Sequence, residues 1–141
     1  MQTRSLCACV LVVAAAVLAG PVAAQEGHPL AGTWYGDYGS GSQRHDLTVI
    51  MKWDGSAVTG SANPGPNAAA LTAVTMTITP GKPAPQGRDS TEGIPPVFHV
   101  RIEFDGMAFE GDIRNPVAGN RRITGTWTRG SEKGTFQLRR L

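Results

Sequence analysis

Beyond residue 24, no stretch of helical length spaces its apolar residues three and four apart, whereas apolar and polar residues alternate repeatedly. Leu47, Val49, Met51 and Trp53 share one face of His45–Trp53, opposite Asp46, Thr48 and Lys52. Phe98, Val100, Ile102 and Phe104 do the same opposite His99, Arg101 and Glu103, as do Met107, Phe109 and Ile113 opposite Glu110 and Asp112. Successive side chains of a strand point to opposite faces, so each stretch reads as a strand with one buried face. Weaker alternation over 33–38, 56–62, 71–79, 122–128 and 135–140 brings the expectation to eight strands. A chain of 141 residues with 18 Gly, 10 Pro and only 17% charged residues also favours frequent turns over long helices.

Two joins carry hairpin chemistry. Asp54-Gly55 and Asp105-Gly106 are suited to a two-residue type I′ turn, whose central residues both need positive φ. Setting these turns in register exposes a repeat at an offset of 51 residues, in which Trp53-Asp54-Gly55 matches Phe104-Asp105-Gly106 and Val58-Thr59-Gly60 matches Phe109-Glu110-Gly111. Ile123-Thr124-Gly125 repeats the strand motif a third time, which predicts one meander of similar hairpins. Eight antiparallel strands in one domain avoid exposed edges by closing into an up-and-down β-barrel, with a sandwich as the alternative. The Pro-rich stretch 80–96 reads as an extended mobile loop outside the sheet, and 63–67 as a shorter one.

Arg4, an apolar run from Leu6 to Ala19 and the small residues Val22 and Ala24 predict a secretory signal peptide over residues 1–24, cleaved after Ala24. The single domain then comprises residues 25–141, exported to a periplasmic or extracellular setting. Both cysteines, Cys7 and Cys9, leave with the leader, so neither disulfides nor thiolate metal sites are expected in that domain. Losing Arg4 also lowers the formal charge of +2, which argues against a nucleic-acid-binding surface.

Strand parity turns Trp34, Trp53 and Trp127 inward with Phe98, Phe104, Phe109 and Phe136. An eight-stranded barrel is just wide enough to be filled by side chains or to hold one small molecule, so these aromatics line a cavity or constitute a solid core. Gly32, Gly60, Gly111 and Gly125, also inward, either leave space beneath a ligand or let strands bend. Signals for catalysis are sparse. His28, His45 and His99 lack metal-ligand spacing and read as solvated, His28 within a mobile leader segment. Asp54 and Asp105 belong to their turns, while Glu103, Glu110 and Asp112 face outward beside Arg101 and Arg114 as cross-strand charge pairs. Arg121, Arg122, Arg129, Arg139 and Arg140 either attract an anionic partner or solvate a strand pair.

Gly32-Thr33-Trp34-Tyr35 followed by Gly39-Ser40 resembles the first strand and loop of the avidin family. Asp54-Gly55 with Thr59-Gly60, Arg122-Ile123 with Trp127, and Gly134-Thr135-Phe136 resemble later avidin-type strands, in order along the chain. Gly32 and Trp34 with a late inward Arg140 also resemble the lipocalins, in which an arginine of the last strand packs over the first-strand tryptophan. The chain is similar as well to a group of small exported bacterial proteins that begin with a Gly-Thr-Trp-Tyr-Gly-Asp strand. The avidin resemblance implies a small-molecule site in which Ser40 supplies a polar contact and Trp127 an aromatic wall, with Phe109 standing for another. Gly36 and Gly134 occupy the positions where avidin-type sites carry an amide and an aspartate, which speaks against biotin as the ligand.

The expectation is therefore a non-catalytic exported β-barrel that needs no cofactor or metal. It binds a small, partly apolar or amphipathic molecule at a mouth lined by Trp34, Tyr38, Ser40, Trp53, Phe109 and Trp127. Gly32, Asp54, Gly55, Asp105, Gly106 and Arg140 serve structure. The alternative is a solid interaction module that contacts another exported protein or an anionic surface; the third reading is a cofactor-free isomerase that confines a reactive substrate. Trp34 and Trp127 are expected to share one neighbourhood of the interior.

Overall fold

A computed structural model of the protein describes residues 27–83, 93–114 and 121–141. The expected signal peptide and its cleavage after Ala24 fall outside these residues, as do Arg88, Asp89 and Glu92 of the proline-rich stretch. The described chain is all strand: β1 (Gly32–Ser40), β2 (Gln43–Trp53), β3 (Val58–Ala62), β4 (Ala69–Ala70), β5 (Ala73–Thr79), β6 (Val97–Phe104), β7 (Met107–Arg114), β8 (Arg122–Arg129) and β9 (Glu132–Arg140). Among the described residues no helix is long and apolar enough to cross a membrane.

The strands form one antiparallel up-and-down sheet in the order β4-β3-β2-β1-β9-β8-β7-β6-β5, curled into a half-barrel. First and last strands meet, with Trp34 opposite Arg140 and Gly39 opposite Thr135. The eight expected strands are present with shifted ends, and β4 is a ninth, two residues long and paired to β3 through Ser61–Ala70 and Ala62–Ala69. The end strands β4 and β5 share no ladder. Leu71 and Thr72 bridge them instead: Leu71 N–H donates to Gly60 O on β3 (3.0 Å), and Thr72 N–H to Glu103 O on β6 (2.8 Å). The closed ring of eight strands is thus corrected to a nine-stranded sheet joined across its split by chain connectivity.

Parity sorts the core as the alternation requires. Trp34, Leu47, Val49, Met51, Ala62, Val100, Ile102, Phe104, Met107, Phe109, Ile113, Ile123, Trp127, Phe136 and Leu138 are buried in one cluster, joined by Leu30 from outside the strands. Opposite them lie exposed polar residues such as Arg101 and Glu110, whose ion pair stands on the solvated face as the charge alternation predicts.

The two hairpin signals differ in outcome. Asp105 (φ 48°) and Gly106 (φ 71°) form a two-residue link between Phe104 and its partner Met107, as the type I′ reading demands. At Asp54, Trp53 pairs with Val58, so the loop is four residues long. The Asp54 carboxylate accepts from Ser56 N–H (2.8 Å), Ser56 Oγ (2.9 Å) and Ala57 N–H (2.8 Å), which shapes an Asx-type turn and leaves positive φ to Gly55 alone (101°). The 80–96 stretch is also corrected in part: the β5–β6 hairpin continues past Thr79 to a Lys82–Ile94 bridge.

The glycines of the repeat mark close approach. Gly111 and Gly125 face each other across β7 and β8, and a Cβ on either would lie within 3 Å of neighbouring backbone. Bending and strand contact, rather than space beneath a ligand, account for them.

Candidate functional site

The two ends of the barrel-like sheet differ in construction. At the end where the chain enters β1, Leu30 is fully buried and its carbonyl accepts the Trp34 indole N–H at 2.7 Å. His28 stacks on Trp53 with ring centroids 4.6 Å apart and planes 23° from parallel. Its Nδ1 accepts from Leu30 N–H (3.3 Å), while Arg121 donates to Pro29 O (3.1 Å) from the far wall. Burial lowers the His28 pKa from its ordinary value of 6.5, because the charged ring loses solvation. The reading of His28 as a solvated leader residue is therefore corrected: residues 28–31 plug this end, and Trp34 and Trp53 belong to the plug. The positive φ of Gly32 (127°) favours glycine there, and the Arg140 guanidinium packs into the space its side chain would take, with Nε 2.9 Å from the ideal Cβ position.

The opposite end gathers the short links Gly41-Ser42, Asp105-Gly106 and Gly130-Ser131. Here a cleft of about 570 Å³ opens over Tyr38 and Trp127, bordered by Ser40, Gln43, His45, Met107, Arg129, Glu132 and Lys133. Beneath it the aromatic rings are in mutual contact. Tyr38 meets Trp127 edge-on at 5.3 Å and Phe109 at 5.5 Å, and Phe109 stacks on Phe104 at 5.1 Å and meets Phe136 edge-on at 5.2 Å. Rings in contact thus occupy the interior below Tyr38, and the cleft is a recess above an aromatic floor. Of the expected mouth residues, Tyr38, Ser40 and Trp127 line the cleft, Phe109 supports its floor, and Trp34 and Trp53 lie at the other end.

The expectation that Trp34 and Trp127 neighbour one another is corrected on the same ground. Their partners on β9 are Arg140 and Gly134, six residues apart, which at ~3.3 Å per residue separates them by about 20 Å. Parity reports the face a residue occupies and is silent about its height along the barrel.

The cleft's polar rim went unnoticed in the alternation although a signal was present. Gln43 and His45 continue the inward parity of Leu47 and Val49, Arg129 that of Trp127, and Glu132 that of Gly134 and Phe136. Inward positions therefore change from apolar to polar at the turn end. His45 sits 5.4 Å from the Tyr38 ring, and Arg129 reaches Asp105 at 3.4 Å to link two turns. Ser40 Oγ donates to Lys133 O at 2.6 Å, which leaves the hydroxyl oxygen to accept from a guest. Trp127 spends its indole N–H on Gly39 O (3.2 Å). Arg44 braces the rim from outside: it pairs with Asp37 and donates to Gly39 O (3.2 Å) and Thr135 Oγ1 (3.0 Å). Hydrogen bonds from Gln137 and Arg44 hold the Asp37 carboxyl below its ordinary pKa.

On the outer wall, His99 stands between Asp112 (Nδ1 to Oδ1, 2.6 Å) and Thr79 (Nε2 to Oγ1, 2.8 Å), a tie across β5, β6 and β7. Among the described residues no imidazole or carboxyl side chain is buried, and no three His, Cys, Asp or Glu side chains converge as a metal site. No family model, no curated protein and no solved structure matches the chain.

Proposed function

We propose that this protein is a non-catalytic binding module, exported by its leader, that takes a small, partly apolar molecule into the turn-end cleft. The observation that carries this reading is the change of inward positions from aromatic to polar around a recess of about 570 Å³. That volume falls in the range of small-molecule sites, roughly 300–1,000 Å³, where apolar surface supplies affinity and a few polar groups orient the guest. Tyr38 and Trp127 offer the apolar floor, and Ser40, Gln43, His45 and Arg129 the orienting rim. The avidin-like and lipocalin-like motifs lend the same reading support, with Ser40 and Trp127 at the matching positions. A titration with 1-aminoanthracene, an uncharged aromatic probe, tests it. Wild-type protein enhances the probe's emission saturably, and Gln43→Ala or His45→Ala, at exposed rim positions, weakens binding at a nearly unchanged melting temperature. Absence of saturable binding by wild type refutes the reading.

The second reading, an interaction module with a solid interior, is favoured by the continuous packing of Phe104, Phe109, Phe136 and Tyr38. On that reading neither the wild type nor the rim variants bind the probe saturably.

A further inference from the structure

A second recess, about 220 Å³, lies on the outer face of β2, β1, β9 and β8, away from the turn-end cleft. Its chemistry follows from strand register. Arg122 and Arg139 are direct cross-strand partners on β8 and β9, both exposed. Like charges placed directly opposite each other destabilise a sheet, and among the described residues neither arginine is paired with a carboxylate, in contrast to Arg44, Arg101 and Arg129. Two uncommitted guanidinium groups thus border the same recess.

The other wall carries the opposite charge. Asp37 and Asp46 are direct partners on β1 and β2. Asp37 is occupied by Arg44 and by Gln137 Nε2 (3.1 Å), whereas Asp46 forms no ion pair among the described residues. Between the walls, Tyr35 is 38% exposed, and the Arg139 guanidinium carbon stands 5.9 Å from its ring centroid. At that distance the ring's negative face attracts the cation and draws the guanidinium over the recess.

An anionic group that bridged Arg122 and Arg139 would remove their repulsion and gain charge-assisted hydrogen bonds from both planar forks. Asp46 repels a second anion nearby, which disfavours a polyanion such as nucleic acid, and it accepts hydrogen bonds from hydroxyl groups. The Gln137 carbonyl oxygen accepts in the same way, and the Tyr35 edge offers an apolar surface. One anion, several hydroxyls and a small apolar face together describe an acidic sugar. We propose that this recess binds an acidic saccharide unit, a uronate or a sugar phosphate, with its anionic group across Arg122 and Arg139 and its hydroxyls on Asp46 and Gln137. The site is separate from the turn-end cleft and stands whether or not that cleft is occupied.

Calorimetric titration of the full domain with glucuronate, glucose 6-phosphate, maltotriose and inorganic phosphate tests the proposal. Glucuronate or glucose 6-phosphate binds wild type and raises its melting temperature; which of the two binds more tightly tells a carboxylate ligand from a phosphate ligand. Arg122→Gln and Arg139→Gln each weaken that binding roughly tenfold or more, while their melting temperatures without ligand stay level or rise as the repulsion disappears. Asp46→Asn weakens the saccharides but not inorganic phosphate. The proposal is overturned if neither acidic saccharide binds wild type, if maltotriose binds equally well, or if inorganic phosphate binds as tightly as the saccharides with no effect of Asp46→Asn.

Discussion

The Trp127 indole on β8 reaches across β9 to donate its N–H to the Gly39 carbonyl on β1 at 3.2 Å, passing over Gly134. A Cβ at residue 134 would stand 2.7 Å from the indole nitrogen and 2.1 Å from the Gly39 oxygen. The missing side chain is thus what allows the floor of the cleft to span three strands, and the residue that departs from the avidin pattern has a packing reason of its own.

Gly134→Ala is expected to displace the Trp127 ring and to cost about 1–3 kcal/mol, the usual range for overpacking. Chemical denaturation measures the loss, and a shift in tryptophan emission reports the displaced ring. Unchanged stability with unchanged emission would show that the indole does not lie over Gly134.

Leu30→Ala removes a fully buried side chain from the plug. A loss of about 2–5 kcal/mol is expected, as for other buried leucines. Because the bond from Trp34 ends on the Leu30 backbone, the acceptor itself persists, and deletion of residues 25–31 should destabilise further than the point change.

Acidification should loosen the same plug. The His28 pKa is lowered in the fold from 6.5, so the unfolded chain binds the proton more readily. Stability from this group is complete above pH 6.5 and declines as pH falls from there through the lower folded value. Protonation at Nδ1 also removes the acceptor used by Leu30 N–H. Melting temperatures followed from pH 8 to pH 5 should show a decline that His28→Phe, which keeps a stacking ring against Trp53, reduces.

The two turns should respond differently to their aspartates. Gly106→Val and Gly55→Val each force a β-branched residue to positive φ, at a cost of about 1–3 kcal/mol. Asp54→Ala removes three hydrogen bonds from its loop, whereas Asp105→Ala chiefly loses a residue type that tolerates φ 48°. Hydrogen bonds from Ala57 and Ser56 lower the Asp54 pKa from 3.8. The stability this carboxylate contributes is present above pH 3.8 and lost as pH falls through its lower folded value, so acid melts of wild type and Asp54→Ala should converge.

The legible part of the fold was its alternation. Leu47, Val49 and Met51 against Asp46, Thr48 and Lys52 expose a buried face without any knowledge of neighbours, and the same holds for β6 and β7. Ala69-Ala70 carries no such contrast, since a two-residue strand has no period and two alanines no polarity. The plug at His28–Leu30 was hidden for a related reason: one leucine outside a repeat has no pattern to join. At the cleft, Tyr38, Ser40 and Trp127 were within reach of parity and motif. Gln43, His45 and Arg129 were passed over because polar residues at strand ends are ordinarily solvated, and only the register of the β1–β2 and β8–β9 turns brings them around one recess.

A complete hoop of strands has a girth set by strand number and stagger. Here the hoop is slit between β4 and β5, and only the peptide links at Leu71 and Thr72 carry it across. β3 covers β2 only from Val49 to Trp53, so Gln43 to Leu47 lean on β1 alone at the turn end. Widening the mouth on that side stretches no ladder, whereas widening it between β1 and β9 would break one. The wall is therefore compliant along the free edge of β2 at the turn end and stiff where β1 and β9 are laddered, so Gln43 and His45 can swing outward while the aromatic floor stays in place.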